Sequence, residues 1–481
     1  MNFKKVLILL LCVAVLLTAC DGKSINENKR KSAIKANETN LMDLDGLSAK
    51  TAYEFNLAYD SGNHQLTGTM KATIVNCSGD SWEKIVINDW ATTPYYQTKA
   101  YANYAPTDFT DSTVTVGTEV IPVTMQRQSN LSSLDVDAGR TIRDGDTIVF
   151  ETDFVIHIPC VQNRYGYSNV NGIEQVALGN ALPVLGLYKD GEWVTHNYIY
   201  NGESFNSEVA DYDVTFTCPA DYEVVMTGIP EVTDSTYHCV EKCVRDFSIM
   251  LATHYETYME DYKGLLLSIW GNSELSADFP KFAEQTKSII DFYTELVGPY
   301  PYDSIDVCLF DMSDAGAAAG GMEYPELIIC NAAQALTEPQ ALAHEMGHEW
   351  FYLSVGNDEF AVPWIDESVT SYITNLYMES LGYDMTGSYV LESYKTYYDI
   401  FASVDAMADD KYYLMSAYMY GPTFLRDLNE LIGDKAFKAA LREIYDTYIF
   451  RQADTEGVLN IFKKHSPKEF DDLVAHYFKN R

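Results

Sequence analysis

The segment HEMGHEWFYLSVGNDEFAVPWIDE, from His344 to Glu367, contains the motif His-Glu-x-x-His followed by a later glutamate. Residues four apart on a helix lie on one face, so His344 and His348 can bind one metal ion together. Glu345 follows the first histidine and can act on a water molecule at that metal without being a ligand itself. A carboxylate from a second helix would complete a His2Glu zinc site with one open position. Glu367, separated from His348 by eighteen residues, is the candidate for this third ligand.

The segments HEMGHEWF and WIDES, with the eighteen residues between His348 and Glu367, carry a resemblance to a known family. They resemble the zinc helix and the Trp-Leu-Asn-Glu segment of the M1 aminopeptidases, gluzincins that include aminopeptidase N and leukotriene A4 hydrolase. The resemblance implies a thermolysin-like catalytic domain with one zinc ion. It also implies that His344, His348 and Glu367 are the zinc ligands and that Glu345 is the general base.

A second motif lies upstream, in the segment GGMEY from Gly320 to Tyr324. It resembles the Gly-x-Met-Glu-Asn exopeptidase motif of the same family. The resemblance implies that Gly320, Gly321 and Met322 contact the substrate. It also implies that Glu323 binds the free α-amine of the peptide.

The family also uses a tyrosine three residues before a glycine, downstream of the third ligand. The segment AYMYGPTFLRDL offers this pattern, because Tyr418 lies three residues before Gly421. The resemblance therefore implies that Tyr418 is the catalytic tyrosine, and Tyr420 is the alternative if the register differs by two. With 36 tyrosines in the chain, a tyrosine by itself indicates only packing.

The resemblance covers roughly residues 50–481, and the sequence departs from the family at several positions. Ser368 replaces the glycine that follows the third ligand. The glutamine-rich segment of the family's specificity pocket has no clear counterpart, although Asn180 lies near that place. The family's large C-terminal helical domain also has no counterpart, and we expect a more open cleft.

The net charge excludes one class of partner. The chain has 33 Lys and Arg against 70 Asp and Glu, a formal charge of -37 at pH 7. Such a balance argues against nucleic acid as a partner. An acidic surface favours solubility, and no obligate protein partner is evident. We expect the partners to be peptide substrates and, through an N-terminal lipid, a membrane.

The N-terminus reads as a targeting segment. Basic MNFKK precedes the apolar run VLILLLCVAVLLTA, which ends in the lipobox-like LTAC. The resemblance to bacterial lipoproteins implies cleavage before Cys20 and lipid on its sulfur, with an extracytoplasmic location at the cell membrane. An ordinary signal peptide or an uncleaved anchor is the alternative. The seven cysteines beyond Cys20 are an odd number, so at least one is unpaired within the chain.

Hydrophobic periodicity divides the rest of the chain into two regions. From about residue 45 to 260 apolar residues alternate with polar ones, as in TAYEFNLAYD, which is typical of an antiparallel β-domain. Residues 278–297 then read as an amphipathic helix, SIDVCLFD and ELIIC as buried strands, and 337–340 as a capping box before the histidine helix. From Pro422 onward the pattern is helical, with breaks near Gly433 and Asp454.

The fold class predicted is a multidomain β plus α/β (α+β) protein. We expect a signal peptide at 1–19, a lipidated tether at 20–45, a saddle-like β-domain at 46–262 and a thermolysin-like catalytic domain at 263–481. The function predicted is a zinc-dependent aminopeptidase. Alternatives are an endopeptidase or epoxide hydrolase on the same scaffold, or a peptide-binding lipoprotein without catalysis.

Overall fold

The computed structural model describes residues 40–199, 202–312, 314, 320–331, 339–390, 398–407 and 410–479. The predicted leader, Cys20 and most of the predicted tether lie outside these residues, as do Thr337 and Glu338 of the predicted capping box. Within the described ranges, no helix is long and apolar enough to cross a membrane. No disulfide bond joins any two of the seven cysteines among the described residues.

The first part of the chain is a β-rich region with one short helix, α1 (Pro94–Lys99). Its strands are β1 (Ala49–Asp60), β2 (Gln65–Asn76), β3 (Ile85–Asn88), β4 (Asp108–Val116), β5 (Glu119–Pro122), β6 (Met125–Arg127), β7 (Ser133–Val136), β8 (Thr147–His157), β9 (Tyr165–Val170), β10 (Ile173–Leu178), β11 (Val184–Leu185), β12 (Tyr188–Lys189), β13 (Glu192–Trp193), β14 (Ala210–Thr217), β15 (Tyr222–Met226), β16 (Glu231–Thr233), β17 (Thr236–Val244) and β18 (Ile249–Thr253).

The largest sheet of this region has eight strands in the order β16-β17-β14-β1-β2-β8-β4-β5. Two four-stranded sheets, β15-β18-β10-β9 and β11-β3-β7-β6, and the pair β12-β13 complete it. The alternation predicted for β1 is confirmed, because Tyr53, Phe55 and Leu57 are buried between exposed neighbours. The eight-stranded sheet is antiparallel except at β1 and β14, which pair in parallel.

The second part of the chain combines a sheet with helices. Its strands are β19 (Tyr255–Tyr262), β20 (Leu265–Asn272), β21 (Ser304–Phe310), β22 (Gly321–Tyr324), β23 (Leu327–Asn331), β24 (Val355–Gly356) and β25 (Arg451–Gln452). Its helices are α2 (Phe279–Leu296), α3 (Gln340–Gly347), α4 (Val369–Ser380), α5 (Asp410–Met415), α6 (Gly421–Ile432), α7 (Asp434–Tyr448), α8 (Thr455–His465) and α9 (Asp471–Tyr477). Two π-helical turns, Trp364–Ser368 and Ser416–Tyr420, lead directly into α4 and α6.

The five-stranded sheet of this part, β19-β20-β21-β23-β22, separates two hydrophobic cores. On one face, Cys308 and Phe310 of β21 pack with the β-rich region. On the other face, Ile305 and Val307 pack with the helices. Burial on both faces explains why apolar residues occupy the consecutive positions from Val307 to Phe310 rather than alternate ones.

The pairing of strand β19 places this strand on the other side of the predicted domain boundary. The predicted boundary at 262/263 would leave Tyr255–Tyr262 in the β-domain. In the structure this strand pairs along its whole length with β20, from Tyr255 opposite Asn272 to Tyr262 opposite Leu265. It is therefore an edge strand of the five-stranded sheet.

Candidate metal centre

The two histidines of the motif lie at the end of α3, which packs against β22 and β23. Their Nε2 atoms are 3.2 Å apart, and the ring planes are almost perpendicular at 87°. His348 is 1% exposed, and its Nδ1 lies 3.1 Å from the carbonyl oxygen of Phe351. This contact fixes the orientation of the ring and leaves Nε2 free to face His344.

Glu367 reaches the same point from the π-helical turn Trp364–Ser368. Its Oε2 lies 3.2 Å from His344 Nε2 and 3.6 Å from His348 Nε2. The ligand atoms of these three residues all lie within 4.8 Å of one another. Two imidazole nitrogens and one carboxylate are a zinc-binding donor set that leaves a fourth position open, so the residues present fit a zinc ion.

Burial and neighbouring charges shift the pKa values of all three proposed ligands. Burial works against an ionised Glu367, but hydrogen bonds from His344 and His348 outweigh it and hold the pKa of this carboxyl below its usual value. Burial also opposes a charged His348, yet Glu323 and Glu367 together raise the pKa of this imidazole well above its usual value. The pKa of His344 is lowered, chiefly by burial.

Glu345 lies on α3 beside the ligands and faces strand β22. Burial, reinforced by the charge of Glu323, raises the pKa of this carboxyl well above its ordinary value. A Cβ on Gly321 would lie 2.5 Å from Glu345 Cγ and 2.3 Å from the Ile329 carbonyl oxygen. Position 321 therefore accommodates only glycine, because the Glu345 side chain and the Ile329 carbonyl oxygen occupy the space that a Cβ would need.

Glu323 reaches the cluster from β22. One of its carboxylate oxygens lies within 4.8 Å of ligand atoms of both Glu345 and His348. It is 5% exposed, and burial raises its pKa to about 7, with the charge of His348 opposing and that of Glu203 adding to the shift. A free ammonium group placed here would find a carboxylate with no described cationic side chain bonded to it.

The neighbouring residues of the GGMEY segment hold this strand in place. The Gly320 carbonyl oxygen accepts a hydrogen bond of 2.8 Å from the Asn331 N–H. The Met322 sulfur lies 3.3 Å from Nη1 of Arg164, a residue of the β-rich region. Arg164 also forms a partly buried ion pair with Glu203.

Tyr418 lies in the second π-helical turn and contacts two of the proposed zinc ligands. Its hydroxyl donates a short hydrogen bond to Glu367 Oε1, and its ring centroid is 5.6 Å from that of His344. Tyr420, the alternative from the sequence, is fully buried and packs against Tyr477, with ring centroids 4.7 Å apart. The geometry therefore favours Tyr418 as the tyrosine of the site.

The two π-helical turns fit together through Ser368. Its hydroxyl donates a hydrogen bond of 2.7 Å to the Ala417 carbonyl oxygen. A Cβ on Gly421 would lie 1.9 Å from the same hydroxyl oxygen. Serine at 368 is thus accommodated because position 421 has no side chain.

Sequence reasoning missed Arg164 and Glu203. The charge of Glu203 contributes to the raised pKa values of Glu323, Glu345 and Tyr418. The segment GESF, which contains Glu203, carries no recognisable motif, and no spacing in the sequence links it to residues more than a hundred positions away. Asn180, considered for the specificity pocket, instead donates its side-chain amide to Asp246 at 3.1 Å.

The chain is similar in sequence to known peptidases. Residues 282–477 match the model of the peptidase family M1 domain. Aminopeptidase M1-B of Oryza sativa subsp. japonica is 24% identical over 219 residues, which are 40% of this chain and 24% of that protein. Aminopeptidase N of Lactobacillus helveticus is 25% identical over 298 residues, 54% of this chain and 34% of that protein. The chain thus spans only about a quarter to a third of these relatives.

Solved structures of similar fold match over most of the chain. A mutant of the M1 zinc metallopeptidase from Deinococcus radiodurans, bound to a Tyr-Ser-Ala substrate, superposes with a TM-score of 0.64. It is 17% identical, and the match covers 90% of this chain and 95% of that one. A mutant of a two-domain M1 zinc metallopeptidase bound to L-tryptophan gives a TM-score of 0.62 at 16% identity, covering 89% of this chain and 94% of that one. The arrangement of a β-rich part followed by a helical part, as predicted from the sequence, is confirmed.

Proposed function

We propose that the chain is a zinc-dependent aminopeptidase of peptidase family M1, whose domain model matches residues 282–477. The observation that carries the proposal is the position of Glu323. Its carboxylate lies within 4.8 Å of Glu345 and His348, beside the donor set that fits zinc. A carboxylate here selects substrates that carry a free ammonium group, which in a peptide is the N-terminus.

The residues of the cluster have separate roles in this mechanism. His344, His348 and Glu367 would hold the zinc ion, which supplies a Lewis acid and lowers the pKa of a water molecule towards neutrality. Glu345 accepts the proton of that water and later passes it to the departing amine. The Tyr418 hydroxyl donates a hydrogen bond to the oxyanion that develops on the attacked carbonyl.

Glu323 determines which bond is cleaved. Its carboxylate pairs with the α-ammonium of the peptide, so the first peptide bond, and no later one, is placed beside Glu345. The raised pKa of Glu323 is consistent with this role, because an arriving ammonium supplies the positive charge that favours the ionised carboxylate.

Hydrolysis of a panel of fluorogenic aminoacyl substrates, with and without a zinc chelator, tests the proposal. An aminopeptidase cleaves the free aminoacyl compounds, and the chelator abolishes this activity. Cleavage of N-acetylated peptides at the same rate as free ones would instead indicate an endopeptidase. Absence of all hydrolysis by zinc-loaded protein would favour a peptide-binding protein.

We further propose that the protein is a lipoprotein anchored outside the cytoplasm through Cys20. The proposal is supported by the sequence alone, namely the basic start, the apolar run and LTAC. Cys20→Ser should move the protein from the membrane fraction to an unprocessed or soluble form. Mass spectrometry of the mature N-terminus gives the decisive reading, because a lipidated cysteine at position 20 supports the proposal and an unmodified one contradicts it.

A further inference from the structure

A buried arginine of the β-rich region reaches the loop behind the metal centre. Arg245, which follows β17, is 1% exposed. Its Nε donates a hydrogen bond of 2.9 Å to the Tyr352 carbonyl oxygen, and its Nη1 donates to the Ser207 carbonyl oxygen. The Ser207 hydroxyl in turn donates to the Arg245 carbonyl oxygen at 2.8 Å. The guanidinium therefore links two backbone segments from different parts of the chain.

The loop that Arg245 contacts has an unfavourable backbone conformation. Tyr352 has a φ of 105°, a region that residues with a side chain rarely adopt. Such a conformation persists only where surrounding contacts impose it. The Tyr352 N–H donates to the Val355 carbonyl oxygen at 2.9 Å, and the Arg245 guanidinium binds the carbonyl oxygen of the same tyrosine.

This loop is connected directly to a proposed zinc ligand. The Phe351 carbonyl oxygen, one peptide unit before Tyr352, lies 3.1 Å from His348 Nδ1. The Leu353 N–H donates to the His348 carbonyl oxygen at 3.0 Å. A shift of Tyr352 would therefore move the acceptor that orients the His348 ring.

The space for the guanidinium is provided by a glycine. A Cβ on Gly356 would lie 2.2 Å from Arg245 Nη2, so any side chain at 356 would displace the arginine. Gly356 belongs to β24, which pairs in parallel with β25. The segment from Tyr352 to Gly356 therefore packs around the Arg245 guanidinium.

We propose that Arg245 is a positioning residue for the metal centre, which holds the strained Tyr352 so that the Phe351 carbonyl orients His348. The inference rests on the proposed zinc site. The β-rich region then has a direct effect on zinc affinity, in addition to any part it takes in substrate binding. Groups that orient a metal-binding histidine commonly change metal affinity by about 10–100-fold when they are removed.

Zinc affinity of the full chain, measured by competition with a chelator, tests the proposal. Arg245→Met removes both hydrogen bonds and should raise the zinc dissociation constant by about 10–100-fold. Arg245→Lys keeps the charge but has a single donor group for two separate carbonyls, so we expect an intermediate increase. The visible absorption spectrum of the cobalt-substituted protein should change in the same order, because it reports the ligand geometry.

Arg127→Met is the matched control. Arg127 is also in the β-rich region, and its Nη2 pairs with the buried Asp89 at 2.9 Å, so its loss removes a comparable interaction. Its other bonds, to the Leu131 and Thr107 carbonyl oxygens, stay within that region. We expect its zinc affinity and cobalt spectrum to equal those of the unmodified protein.

Different results would contradict the role of Arg245 and the proposed function. The role of Arg245 would be overturned if folded Arg245→Met bound zinc within twofold of the affinity of the unmodified protein. If the methionine variant fails to fold, the same criterion applies to Arg245→Lys. Equal weakening in Arg127→Met would also overturn it, because the effect would then be general destabilisation. Failure of the unmodified protein to bind one zinc ion per chain would instead contradict the proposed function.

Discussion

At the scale of single residues, the candidate site brings the carboxyl groups of Glu323 and Glu345 within 4.8 Å of each other, beside the proposed zinc ligands. Glu323 and Glu345 come from a strand and a helix that approach closely, because Gly321 has no side chain between them. Their burial raises both pKa values, so each carboxyl favours a bound cation or proton. These properties suit one group for binding an ammonium and the other for carrying a proton.

Replacing Glu345 with glutamine separates proton transfer from metal binding. Glu345→Gln retains the size of the side chain but cannot accept a proton. We expect kcat to fall by about 10²–10⁴-fold, the usual contribution of a general base. Zinc content measured on the same sample should remain one ion per chain, and full activity of the variant would remove Glu345 from the mechanism.

Replacing Glu323 with glutamine tests recognition of the N-terminus. A hydrogen bond to a charged group contributes about 1.5–3 kcal/mol, so Glu323→Gln should lower kcat/KM for free peptides by roughly 10–150-fold. N-acetylated peptides carry no ammonium and serve as the internal control. An equal loss on both kinds of peptide would show that Glu323 acts on something other than the N-terminus.

The residues of the candidate site could be predicted from the sequence to different extents. His344, His348 and Glu367 follow from ligand chemistry and helical spacing, and the structure brings their ligand atoms within 4.8 Å. Glu323 and Tyr418 could be named only through the family resemblance, because neither has a distinctive spacing from the histidines. Arg164 and Glu203 were not predicted, since only tertiary packing brings the β-rich region to the site.

Two π-helical turns are the elements that shape the site. One carries Glu367 and the other carries Tyr418, and each continues into an α-helix. A π-helical turn adds a residue to a helix and is frequent at functional sites. Helical periodicity from Pro422 onward predicted α6, but the widened turns depend on packing between Ser368 and Gly421.

Gly421→Ala should disturb this packing. The new methyl group would overlap the Ser368 side chain, and overpacking of this kind costs about 1–3 kcal/mol. Ser368→Gly in the same chain removes the overlapping atoms and should restore part of the lost stability. Denaturant unfolding of both single variants and the double variant measures this coupling. Additive effects would show that the two positions do not interact.

The molecule as a whole is organised around the five-stranded sheet. One face of this sheet packs with the β-rich region and the other with the helices, so the metal centre lies in a part of the chain supported from both sides. The fold class could be predicted because a long region with a period of two residues precedes a region with helical periodicity. The parallel pairing of β1 with β14 and the place of β19 could not, since periodicity does not specify partners.

Removal and return of zinc tests the central claim most directly. The protein should hydrolyse a free aminoacyl substrate, lose this activity on treatment with a chelator, and regain it when one zinc ion per chain is restored. The His2Glu donor set sets this stoichiometry. Unchanged hydrolysis after complete removal of the metal would contradict the account.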